Sequence, residues 1–106
     1  MIAGPYGTGA KTEAEKGANL RKLNEAAWEV FKKGHVPVVG VNNALPLVAV
    51  AGEAKADEIM MPLSLALADK CDACLRIGDA SKGADEEVAR FKAAGKPVYY
   101  SIGAVP

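Results

Sequence analysis

Three groups of residues have types and spacings suited to chemistry. The first is Gly4-Pro5-Tyr6-Gly7-Thr8-Gly9-Ala10-Lys11-Thr12. It approaches the phosphate-cradling pattern G-x-x-x-x-G-K-[ST] but misses it by one residue. Ala10 separates Gly9 from Lys11, so the lysine cannot fold straight back over bound phosphates. A looser reading stands: glycines let a ligand approach the backbone, and free amides in such a loop bind anions. The plain alternative is a flexible turn. The second group is Cys71-Asp72-Ala73-Cys74. Redox C-x-x-C pairs open a helix, which depresses the thiol pKa. This one leads into Leu75-Arg76-Ile77, which reads as a strand, so the two thiols are expected on opposite faces as structural groups. His35 is the only histidine and reads as structural. The ligands for a zinc site are too few, and no metal or cofactor is expected. The third group is Asp85-Glu86-Glu87. Acidic residues in a first helical turn favour the helix dipole. Val88 and Phe91 place Glu87 on the inward side, while Glu86 is spaced to pair outward with Arg90.

The elements that must position these groups alternate. Met1–Ala3 reads as a short strand ending at Gly4-Pro5. Residues 13–33 repeat Leu20, Leu23, Ala27, Val30 and Phe31 at helical spacing. Thr12 and Glu15 form a capping box, and Gly34 stops the helix. Val36–Val41 reads as a strand buried on both faces, with Pro37 near its start. Asn42-Asn43 offers a cap for a helix over 44–51, closed by Gly52. A helix over 58–69 follows, with Pro62 in its first turn or kinking it. A strand over 72–77, a helix from Ser81 or Gly83 to about Ala94, and a strand over 97–101 complete the chain. The expectation is one α/β domain over 1–106, a small flavodoxin/Rossmann-like three-layer fold. Its parallel sheet would have four strands in the order 2-1-3-4. That topology sets the Gly4–Gly9 loop beside the Gly78–Gly83 loop, where ligands of such folds bind. Gly4, Gly7, Gly78, Asp79, Ser81 and Gly83 are therefore candidate binding residues, with Ser81 and the amides near Gly83 suited to an anion.

Composition narrows the function classes. Thirteen basic residues balance 13 acidic ones, with a pI near 6.6. A nucleic-acid polymer is not an expected partner, because its phosphates need a basic patch. The longest mostly apolar stretch, Ile59–Ala68, is interrupted by Pro62 and Ser64 and is shorter than the roughly 18 residues of a membrane span. No signal peptide is recognisable, and a cytoplasmic location is expected. Half of the residues are hydrophobic, but 20 of them are alanine, so the core is thin. A domain this size buries only about two thirds of its unfolded surface. Leu45-Pro46-Leu47-Val48-Ala49-Val50 is apolar nearly all round, and with Met60-Met61 it is expected in a homo-oligomer interface, dimeric or tetrameric.

Taken together, the order of these motifs resembles the nucleoside 2-deoxyribosyltransferase superfamily, with its short bacterial branch the nearest look-alike. The residues that carry the resemblance are Gly4-Pro5-Tyr6 after the first strand, Asn19 in the first helix, Gly34-His35-Val36-Pro37, and Cys71-Asp72-Ala73. Ser81-Lys82-Gly83-Ala84-Asp85-Glu86-Glu87 fits the pattern S-x-G-x-x-x-E, and Gly95-Lys96-Pro97-Val98 fits the ending. The resemblance implies that Glu87 is a nucleophile attacking the anomeric carbon of a 2-deoxynucleoside, giving a glycosyl-enzyme intermediate that another base or water resolves. It also implies that Tyr6 lies at the sugar and the carboxylate, and that Ser81 and Gly83 bind the 5′ side. The expected partner is a small-molecule nucleoside or nucleotide, and the expected activity is that of an N-glycosidase or deoxyribosyltransferase. The chain departs from the pattern at two residues, and its first strand is unusually short. Where the family carries an aspartate that handles the base proton, eight positions before Asp72, this chain has Ser64; Asp57, Glu58 and Asp79 are the carboxylates left to substitute. Asp85 replaces a glycine and disfavours a 5′-phosphate. The alternative function is a non-catalytic nucleotide-binding or scaffold domain that has lost the proton donor.

Overall fold

A computed structural model describes residues 1–106. Helix α1 spans Glu13–Lys32 and opens as its sequence dictates. Thr12 Oγ1 accepts from the Glu15 amide at 3.1 Å, and the Glu15 carboxylate accepts from the Thr12 amide at 3.3 Å. Gly34, at φ +98°, turns the chain out of the helix. Helices α2 (Gly40–Ala51) and α3 (Ala56–Lys70) pack against each other, joined by a single 3-10 turn. Helix α4 (Lys82–Ala93) follows, capped by the Ser81 hydroxyl, which accepts from the Ala84 amide at 3.3 Å.

The strands are much shorter than the sequence predicts. Strands β1 (Ile2–Ala3), β2 (Cys74–Arg76) and β3 (Val98–Tyr99) form one parallel sheet in the order β1-β2-β3. Most residues are helical, and the sheet is a short seam among the helices. This overturns the four-stranded, three-layer expectation with order 2-1-3-4. The missing strand is Val36–Val41. It contributes one parallel bridge, Ile2 to Val39, and the Ile2 amide donates to the Val38 carbonyl at 2.8 Å. Three local features stop it there. Val36 is 88% exposed, so its apolar side chain finds no sheet face to cover. Pro37 has no amide to donate. Gly40 already belongs to α2, which starts without any side-chain cap at Val39. Asn42 and Asn43 therefore lie inside the helix rather than before it, and Asn42 Nδ2 donates to Asn24 Oδ1 of α1. Of the two positions expected for Pro62, in the first turn or inside the helix, α3 takes the second: the proline falls in its second turn.

Alternation along the strands divides the core in two. Met1, Ala3 and Cys74 face α3 and α4, where Ala68, Ala84, Val88 and Phe91 close the packing. Ile2 and Leu75 face α1 with Leu23 and Val30, and Val39 and Val105 join them. Phe91 is the largest fully buried side chain, worth about 1.5–3 kcal/mol by transfer. Cys71 and Cys74 are free thiols that pack against the same cluster, not on opposite faces. Cys71 caps the end of α3 and is not part of the strand, so strand alternation does not apply to it.

Candidate functional site

The two glycine-rich loops lie side by side, as expected, but their glycines serve each other. A β-carbon on Gly4 would stand 2.9 Å from the Ile77 carbonyl oxygen, and one on Gly78 would stand 2.9 Å from Pro5 Cδ. Gly78 is also at φ +75°, a conformation side chains resist. These glycines let the Gly4-Pro5 turn dock on the end of β2. Thr8 Oγ1 lies 3.3 Å from Ser81 Oγ and ties the loops a second time. Asn19 Nδ2 holds the Tyr6 carbonyl at 2.7 Å. A cleft of about 420 Å³ remains between these loops and α1, lined by Pro5, Thr8, Asn19, Lys22, Gly78 and Asp79 among others. Gly7 is exposed, and nothing lies near its Cα that a β-carbon would meet.

Glu87 sits elsewhere. It is buried, 7% exposed, in the second turn of α4, on the α3 side of the sheet. Its Oε2 accepts from Ser64 Oγ of α3 at 2.7 Å. Above Ser64 lies Gly40, where any β-carbon would collide with the hydroxyl. A β-carbon on Gly83 would stand 3.1 Å from Met61 Sδ, so the first turn of α4 also rests closely on α3. Burial pushes the Glu87 carboxyl above its ordinary value of 4.5; the Ser64 hydrogen bond and the positive charges of the Met1 amino group and Arg76 pull it partly back. The sequence singles out Glu87 correctly as the inward carboxylate of its run. Its neighbour behaves differently: Glu86 is exposed, and Arg90 pairs with Asp69 of α3 at 3.6 Å instead of with Glu86.

The structure therefore brings the predicted residues together in two groups, not one. Gly4, Gly78, Asp79 and Ser81 belong to the loop pair. Glu87, Ser64 and Gly83 belong to the α3–α4 contact. Tyr6 is half-buried against the α1-side cluster, and no hydrogen bond links it to Glu87. Neither Glu87 nor Ser64 lines any of the five main clefts. The carboxylates left to substitute for the missing aspartate do not reach Glu87 either: Asp57 and Glu58 are exposed at the start of α3, Glu58 beside Lys55 at 3.5 Å, and Asp79 is exposed on its loop. Ser64, which stands at the substituted position, is the group that touches the carboxylate.

Arg76 has no role in the motif reading. Its guanidinium is buried on the same face of β2 as Cys74, donates to the Ile77 and Asp79 carbonyls, the latter at 2.9 Å, and lies 3.4 Å from Asp85 Oδ1. The available signal was a charge in the middle of the apolar run Leu75-Arg76-Ile77. No three His, Cys, Asp or Glu side chains gather where they could hold a metal ion. No helix is long and apolar enough to cross a membrane. Compared with protein-family models, curated proteins and solved structures, the chain matches none.

Proposed function

We propose that this chain binds a nucleoside or nucleotide and acts on its N-glycosidic bond through Glu87. The observation that carries the reading is the buried carboxylate itself. A buried carboxyl, shifted by desolvation and held by one hydroxyl, is a functional-site candidate. The step asked of it is simple. A substrate displaces the Ser64 hydroxyl, Glu87 attacks the anomeric carbon, and the base departs with a proton from solvent or from the ligand, because Ser64 cannot supply one as an acid. Water or a second base then takes the sugar from Glu87. The two free thiols support a reducing, cytoplasmic setting. A second copy of the chain would cover Leu47 and Val50 of α2, which are 50% and 90% exposed.

A second reading draws on the burial of Glu87 and its distance from the main clefts. In it the Ser64–Glu87 pair is a structural latch between α3 and α4, and the chain is a binding or scaffold domain without chemistry. Incubation with a panel of 2-deoxynucleosides and their monophosphates, followed by chromatography for free base, separates the two. Base release supports the enzyme; no release from any member supports the latch.

A further inference from the structure

We propose that the cleft between the end of β2, α4 and Tyr100 is a binding site for a small aromatic anion, its acidic group on Arg76 and Lys92 and its ring on Tyr100. The cleft is about 500 Å³, the size of small-molecule sites, and Arg76, Gly78, Asp85, Lys92 and Tyr100 contribute to its lining. Glu87 does not line it, and the proposal does not rest on the reading of that residue.

Four observations converge on this cleft. First, Arg76 is held rigidly by two backbone carbonyls, so its guanidinium is fixed before any ligand arrives. Second, its Nε makes no hydrogen bond within the chain, yet no fully buried side-chain polar atom lacks a partner. That nitrogen is therefore not fully buried. Third, the carboxylate beside Arg76 is a poor partner: Asp85 Oδ1 is 3.4 Å away on a side chain 68% exposed. A pair of that kind is weak and easily exchanged for a ligand oxyanion that takes two donors at once. Fourth, Lys92 Nζ sits 5.9 Å from the centroid of the Tyr100 ring, which is 62% exposed. The cation and the aromatic face thus share one wall, and the two cations outnumber the one carboxylate.

Phenyl phosphate is the probe, with inorganic phosphate and phenol as its two halves. Titrated into the ¹⁵N-labelled chain, it should give saturable shifts at Arg76, Gly78 and Tyr100. It should bind more tightly than either half. Lys92→Gln and Tyr100→Ala, both at exposed positions, should each weaken it about threefold, and Asp85→Asn should tighten it. Arg76→Gln should abolish it, with the two surface variants keeping the test valid if that chain fails to fold. Shifts that do not saturate, that map elsewhere, or that persist unchanged in both Lys92→Gln and Tyr100→Ala would overturn the proposal. Equal affinity for inorganic phosphate would overturn it too.

Discussion

Ser64 Oγ donates to Glu87 Oε2 at 2.7 Å, joining α3 to α4 through one buried hydrogen bond. No other hydrogen bond reaches the carboxylate, so the burial of Glu87 depends on Ser64. Ser64→Ala should cost about 1–3 kcal/mol, the penalty of leaving a buried acceptor unmet. Urea unfolding at neutral pH measures it, and a loss well under that range would show that water replaces the hydroxyl.

Glu87 binds its proton more tightly folded than unfolded, because burial raises its pKa. Its contribution is therefore fully present below the ordinary value of 4.5 and is lost as pH rises through the raised one. Relative to Glu87→Gln, wild type should lose stability as pH climbs from 4.5. Parallel melts of the two proteins across pH test the sign.

Gly40 is a packing requirement. A methyl there would strike the Ser64 hydroxyl. Gly40→Ala should destabilise by about 1–3 kcal/mol, the usual cost of overpacking, despite alanine's better helix propensity. It should also disturb Glu87, visible as a changed pH dependence of the melt.

Cys74 is fully buried, and burial pushes its thiol from 9.0 up to about 11. The thiol is protonated longer in the folded chain, so stability should fall as pH rises from 9.0 and level off beyond about 11. Thiol titration should label the half-buried Cys71 first and Cys74 only on unfolding.

Much of this arrangement was legible in the residues, for identifiable reasons. Helix α1 carries both its period and its capping box, so its start was fixed by Thr12 and Glu15. Glu87 was legible because Val88 and Phe91 set its face. The missing strand was not. Val36–Val41 is apolar and β-branched, and beside Val36 and Pro37 part of what stops it is tertiary: Gly40 enters α2 and lies against Ser64, and no side-chain cap announces that start. The Glu86–Arg90 spacing was equally misleading, because α3 offers Arg90 another carboxylate, Asp69. The glycines of the two loops looked like ligand-facing positions, and the packing of Gly4 on Ile77 and Gly78 on Pro5 uses them internally.

The apolar surface of α2 is only partly covered. Leu47 and Val50 are exposed on α2, but Ala44 and Val48 are covered by the chain itself. Trp28 and Phe31, stacked at 5.9 Å on α1, are exposed as well. If α2 forms the contact between copies, Val50→Glu should shift the sedimentation of the chain at micromolar concentration toward monomer, whereas Trp28→Glu should leave it unchanged.

The role of Glu87 is decided by base release measured side by side in wild type and Glu87→Gln. Wild type should release free base from at least one 2-deoxynucleoside, and Glu87→Gln should lose roughly 10³-fold or more in a chain whose melt shows it folded. Release at an undiminished rate in the variant, or none from wild type with any substrate, would contradict that role.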